Sequence, residues 1–240
     1  MNTQRFISPS IFDMAYITRK GIAEALKEVA GRYARGKLVD LGCGVKPYQE
    51  TFAPYCESYF GVDYPDAARL NYAEETRADL WADCTETGLD GESFDTVLST
   101  QVLEHIEHPQ RLLKEAWRLL KKGGIFILTA PFLWQEHSRP RDYYRFSQYS
   151  LRFLLEETGF DVIEIRKIEG AFAAVQQMNI VSILGRERKR LLSKIYHRVV
   201  NQFMMIPLIN ILATTLDKKI YNDALYLNTL TIARKKENGE

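Results

Sequence analysis

The run Lys37-Leu38-Val39-Asp40-Leu41-Gly42-Cys43-Gly44 is apolar and ends in a glycine turn. Further along, the short run Tyr59-Phe60-Gly61-Val62-Asp63 ends in an acid. An apolar strand, a turn that admits a ligand to the backbone, and an acid at the next strand's tip make a nucleoside-binding edge of an α/β sheet. An ionised Asp63 can accept from both hydroxyls of a ribose, one on each oxygen. The plainer reading of Gly-x-Gly is a tight strand-to-helix turn with no ligand. Asp40 and Asp63 together weigh against it.

The same turn narrows the choice of nucleoside. A dinucleotide site uses G-x-G-x-x-G, which seats a pyrophosphate on a helix N-terminus. Gly42 and Gly44 fit that pattern, but Pro47 stands at the third glycine position. Asp40 lies close to where the pyrophosphate would sit, and a carboxylate there repels phosphate and suits a cation. S-adenosylmethionine has an ammonium, a sulfonium and no phosphate. It is the expected cofactor, with S-adenosylhomocysteine as product.

Five stretches in order carry a resemblance: Val39 to Gly44, Gly61-Val62-Asp63, Ser93 to Val97, Val102-Leu103-Glu104-His105-Ile106, and Leu120-Lys121-Lys122-Gly123-Gly124. Together they resemble the motifs of class I S-adenosylmethionine-dependent methyltransferases of the type 11 kind, over about residues 37–168. In appearance the chain is most similar to bacterial members that act on small molecules and surface polysaccharides. The resemblance implies a cofactor cradle made by Asp40, Gly42, Cys43, Gly44, Asp63 and Tyr64. It also implies that an acid after the third strand takes the adenine amino group. Asp83, with Cys84 beside it, fits that place better than Asp79 by its spacing to Ser93. Thr100 and Gln101 would then bound the methionine part of the cofactor.

After the fifth strand comes an aromatic and polar segment, Ala130 to Phe146, with rings at Phe132, Trp134, Tyr143 and Tyr144 and cations at Arg139, Arg141 and Arg145. Rings beside polar groups suit a polyhydroxylated small molecule, and arginines suit a phosphate or carboxylate on it. The alternative is a lid whose rings pack on the body and whose arginines pair with Glu136 and Asp142. Methyl transfer needs alignment above all, but a hydroxyl acceptor gains from a base near neutrality. His137 is the expected base, with Tyr144 and Arg145 positioning the acceptor. Glu104 and His105 are read as packing beside the cofactor. Since no histidine pair has metal-ligand spacing with carboxylates nearby, no metal is expected.

The acceptor is narrowed by what the chain lacks. Ser99-Thr100-Gln101-Val102 replaces the Asp/Asn-Pro-Pro-aromatic turn of many nucleobase amino-methylases, and no cysteine follows a proline as cytosine C5 chemistry requires. The net charge is +1, which gives no electrostatic footprint for nucleic acid. The expectation is O-methylation of a small molecule such as a sugar, or a nucleotide- or lipid-linked sugar, in surface-glycan biosynthesis. A quinone-like or lipid acceptor is the alternative. A non-catalytic scaffold and a nucleotide-dependent oxidoreductase are the readings of other classes.

These residues need a frame to hold them. Apolar periodicity predicts a helix over 17–33, strands over 37–41, 58–62, 77–80, 94–99 and 125–129, a helix over 109–120 closed by Lys121 to Gly124, and a short helix opened by Pro47. A Ser147-capped helix ending at Gly159 and strands over 160–168 and 226–233 complete it. The fold class is α/β, a doubly wound Rossmann-like sheet. The resemblance implies seven strands with the last inserted antiparallel beside the fifth. Residues 1–171 and 223–240 form the cofactor domain on this reading, and 172–222 a helical insertion. The insertion combines Arg186, Arg188, Lys189, Arg190, Lys194 and Arg198 with an apolar run from Phe203 to Ala213 that Pro207 would break or kink. It reads as a cap, a homodimer interface or a peripheral contact with an anionic membrane. Three scattered cysteines and no apolar leader at 1–10 suggest the cytoplasm, with the inner membrane surface as a possible station.

Overall fold

A computed structural model of the chain describes residues 4–64, 77–184 and 204–236. The helices are α1 (Gln4–Ile7), α2 (Tyr16–Tyr33), α3 (Gln49–Phe52), α4 (Pro109–Leu119), α5 (Gln148–Thr158), α6 (Ala171–Asn179) and α7 (Ile206–Asp217). The strands are β1 (Lys37–Leu41), β2 (Ser58–Asp63), β3 (Leu80–Trp81), β4 (Phe94–Thr100), β5 (Leu120–Pro131), β6 (Phe160–Ile168) and β7 (Asn228–Lys235). They form one seven-stranded sheet in the order β3-β2-β1-β4-β5-β7-β6. The pairs from β3 to β5 are parallel, and β7 runs antiparallel between β5 and β6.

Alternation along the strands divides the core between the two faces of the sheet. Val39 and Leu41 of β1 pack with Leu112, Leu113 and Ala116 of α4 and Leu151 and Leu155 of α5. Leu38 packs on the other face with Leu26 and Val29 of α2 and with Phe52. Asp40 shares Leu38's side of the strand. The order of the strands reverses at β1 and β4. Their carboxyl ends splay apart there and leave the crevice where doubly wound sheets bind ligands.

Three local expectations are corrected. Pro47 lies in the turn before α3, whose first residue is Gln49. The third strand is two residues at Leu80–Trp81. The stretch after α4 is no helix cap, since β5 already starts at Leu120. Its register on β4 jumps from Phe94–Leu120 to Thr96–Ile125, so that Lys121 to Gly124 bulge outward. Pro207 is the second residue of α7, in the first turn where no N–H is required, and the wider helical turn at 204–205 gives way to α-helix there.

Helices α6 and α7 come from the expected insertion and dock on the body through a third apolar cluster of Ile17, Ala173, Ala174, Ile206, Ala213 and Leu227. Asp217 closes the arrangement. At the end of α7 it accepts from Gly170 N (2.7 Å) and Ala173 N (3.0 Å), the free amides that open α6. Leu208, Ile211 and Leu212 on α7 face outward. The basic run from Arg186 to Arg198 lies outside the described residues, as does His197. Among the described residues no helix is long and apolar enough to cross a membrane.

Asp217→Ala removes both acceptors from buried amides. It is expected to lower unfolding free energy by about 2 kcal/mol in urea denaturation, with Asp217→Asn losing less.

Candidate active site

A cavity of about 560 Å³ opens at the carboxyl ends of β1, β2 and β4. One wall is the glycine turn. Gly42 has φ +78°, and a Cβ there would stand 2.4 Å from Val102 Cγ2, so no side chain fits. Gly44, at φ +51°, presents its open side where no protein atom lies within 4 Å of a built Cβ. Gly42 and Cys43 both donate to Val62 O, at 2.9 and 3.0 Å, which pins the turn against β2.

Asp63 joins the two strand tips. One carboxylate oxygen accepts from Gly44 N (2.9 Å) and the other from Tyr64 N (2.8 Å). Burial raises its pKa, and the two amides oppose that rise. Each oxygen keeps a lone pair for a hydroxyl donor. Tyr64 lies on the cavity wall with Arg141 4.7 Å from its ring centroid. Asp83 and Cys84 line the opposite side, and Asp83 also accepts from Thr85 N at 2.8 Å. Asp79 is engaged elsewhere, by Lys46 and by Gly61 N, and does not line the cavity.

Of the ten residues expected around the cofactor, Gly42, Gly44, Asp63, Tyr64, Asp83, Cys84 and Gln101 border the cavity; Asp40, Cys43 and Thr100 do not. The pleat explains Asp40. It points to the α2 side, 1% exposed, and accepts from Tyr59 Oη beneath the turn. Burial pushes its pKa up to about 7 against the Tyr59 hydrogen bond, with Asp63 raising it further and Lys46 lowering it. Asp40 is thus a support of the turn and not a wall of the cavity. Cys43 is buried, its thiol pKa pushed far up by desolvation, and Thr100 ends β4 behind Gln101.

The acceptor end needs more correction. Neither His137, Tyr144 nor Arg145 borders the cavity; His105, Ser138, Arg141 and Tyr143 do, with His108 and Arg111 at the start of α4. Arg145 is engaged within its own loop, pairing with Asp142 at 2.7 and 2.8 Å and donating to the carbonyls of Trp134 and Gln135. It holds the Asp142 carboxyl far below the usual carboxylate range. Tyr144 donates to Glu107 O at 2.9 Å, and Phe132 stacks on Tyr226 with centroids 4.3 Å apart. Arg139 pairs with Glu136. The lid reading therefore fits most of this loop, while Ser138, Arg141 and Tyr143 face the ligand side.

Behind the wall, Glu104, His105 and His137 come together although His137 is far along the chain. Glu104 is fully buried and neither carboxylate oxygen has a hydrogen-bond partner. Desolvation pushes its pKa up to about 8. Burial likewise lowers the pKa of both histidines. Sequence spacing concealed this cluster, since only the return of the loop after β5 brings His137 to the Glu104-His105 turn.

The match to known proteins centres on the cradle. Residues 39–128 match the family described as a methyltransferase domain. The cradle suits S-adenosylmethionine, with an acid at the β2 tip, open backbone at Gly44, and Lys46 at the turn paired with Asp79. The chain is 28% identical over 107 residues to a probable S-adenosylmethionine-dependent methyltransferase of Mycolicibacterium smegmatis, covering 44% of this chain and 42% of that protein. It is 30% identical over 103 residues to a ubiquinone biosynthesis O-methyltransferase of Coxiella burnetii, covering 40% and 44%. It thus spans less than half the length of these curated relatives. A solved S-adenosylmethionine-dependent methyltransferase from Archaeoglobus fulgidus shares the fold, with a TM-score of 0.55, 17% identity and 97% of each chain covered.

Two outcomes test this geometry. Gly42→Ala is expected to unfold the turn and lower adenosylhomocysteine affinity at least tenfold by calorimetry, whereas Gly44→Ala should cost only about 1 kcal/mol of stability, because its methyl meets no protein atom. The folded state also holds the Asp40 proton up to about pH 7, while the unfolded chain releases it near 3.8. The native state binds more protons across that window, so this group's contribution to stability falls as pH rises through it. Asp40→Asn should flatten the decline between pH 4 and 7 in denaturation curves, and an unchanged slope would contradict the assignment.

Proposed function

We propose that this protein transfers a methyl group from S-adenosylmethionine to a hydroxyl of a small molecule. The observation that carries the reading is the Asp63 carboxylate, fixed by two backbone amides at the edge of a cavity whose other wall is glycine. Gly42, Gly44, Asp63, Tyr64, Asp83 and Gln101 would hold the cofactor. When bound, it supplies a methyl carbon on a sulfonium; the acceptor oxygen bonds to that carbon while the carbon–sulfur bond breaks and its electron pair stays on sulfur.

The chain's own contribution is alignment and exclusion of water. Ser138, Arg141 and Tyr143 come from the loop after β5 and cover the cavity from above the cradle. Tyr143 N donates to Glu104 O at 2.9 Å, which ties the loop to the turn after β4. Arg111 and Arg141 are the cations bordering the cavity, and they support an acceptor carrying a phosphate or carboxylate. A sugar or a nucleotide- or lipid-linked sugar satisfies both features. A quinol-like aromatic hydroxyl is the second reading, favoured by the likeness to ubiquinone biosynthesis O-methyltransferases. No described residue of 172–222 lines the cavity, which weighs against a cap role for the insertion.

Incubation of the purified protein with methyl-labelled cofactor and a panel of sugar phosphates and catechols, followed by mass spectrometry, tests the reading. The expected result is label on an acceptor oxygen, lost with Asp63→Ala. Label appearing only on nitrogen would overturn the acceptor class. Arg141→Ala should raise the acceptor KM at least tenfold; charge-assisted hydrogen bonds are worth about 1.5–3 kcal/mol.

A further inference from the structure

Glu104 and the two histidines have a spacing that hydrogen bonding does not explain. His105 Nε2 stands 3.8 Å and His137 Nε2 3.9 Å from the same oxygen, Glu104 Oε1. Both separations exceed hydrogen-bond reach. The histidine rings meet edge-on with centroids 4.6 Å apart. A fully buried carboxyl with no donor is costly to leave so.

An ion between the three groups would account for the spacing. Zinc-to-ligand distances of about 2.0–2.1 Å give a tetrahedral edge of about 3.4 Å. The two carboxylate–imidazole edges need close in by about half an ångström, and all three ligand atoms lie within 4.8 Å of one another. The outer nitrogen of His105 is also backed as a metal-bound histidine requires. His105 Nδ1 lies 2.6 Å from Arg141 O, and His137 Nδ1 lies 3.5 Å from Asp142 Oδ2. Arg145 holds Asp142 in place. Two imidazoles and one carboxylate suit a divalent ion of the zinc class and leave further coordination positions open.

We propose that Glu104, His105 and His137 bind one divalent transition-metal ion at the acceptor end of the cavity. His105 borders the cavity and Glu104 lies behind it, so the open positions face the acceptor. The ion would acidify an acceptor hydroxyl, whose proton leaves to solvent. This role rests on the methyl-transfer reading, but the binding of the ion does not.

The test uses the intact protein after chelator treatment, with cobalt(II) as spectroscopic probe. One equivalent of cobalt should give the visible bands of a four- or five-coordinate ion, and zinc should displace it. Zinc should also raise the melting temperature of the wild-type protein, a readout that needs no variant. Glu104→Gln and His137→Asn should each weaken cobalt binding at least tenfold while adenosylhomocysteine binding, measured in parallel, stays. Absence of the bands at excess cobalt, or bands unchanged in both variants, would overturn the proposal. Cofactor binding without cobalt binding sinks the metal site alone; cobalt binding without cofactor binding sinks the methyltransferase reading alone.

Discussion

The bond network of one carboxylate shapes the rest of the site. Asp63 gathers the amide of Gly44 from the loop after β1 and the amide of Tyr64 from the loop after β2. Without that acid the two loops have no shared acceptor, and the glycine turn has no reason to present its open face to the cavity. The sheet puts the acid there. β1 and β2 pair in parallel from Lys37–Ser58 to Leu41–Val62, so their carboxyl ends finish side by side. The core beneath, from Leu38 and Val39 to Phe52 and Val62, exists in part to keep those two tips in register.

Charge is managed around this centre in layers. Asp40 lies under the turn and Asp79 beside it, with Lys46 among them. Arg111 and Arg141 also border the cavity, with Arg141 over the Tyr64 ring.

Much of the fold was legible in the sequence because its signals are local. Alternating apolar residues marked β1, β2, β4 and β6, and Ser147 and Gly159 marked both ends of α5, where Ser147 Oγ accepts from Ser150 N and Gly159 takes φ +99°. The cradle at Gly42, Gly44 and Asp63 was legible for the same reason. The acceptor end was not, because it depends on which way a loop folds back. His137 stood out by its chemistry, yet the cavity wall is His105. Arg145 and Asp142, three residues apart, pair with each other inside the loop. Asp40 shows a different limit: its type and position fitted a ligand contact, and only the pleat reveals that it points away.

The central claim is that the crevice at the tips of β1 and β2 accepts a cationic amino-acid nucleoside and rejects a diphosphate. Calorimetric titration of the wild-type protein with S-adenosylmethionine, S-adenosylhomocysteine and NAD measures this directly. One-to-one binding of the first two and no detectable heat from NAD are expected. Tight binding of NAD with no response to either adenosyl ligand would contradict the claim.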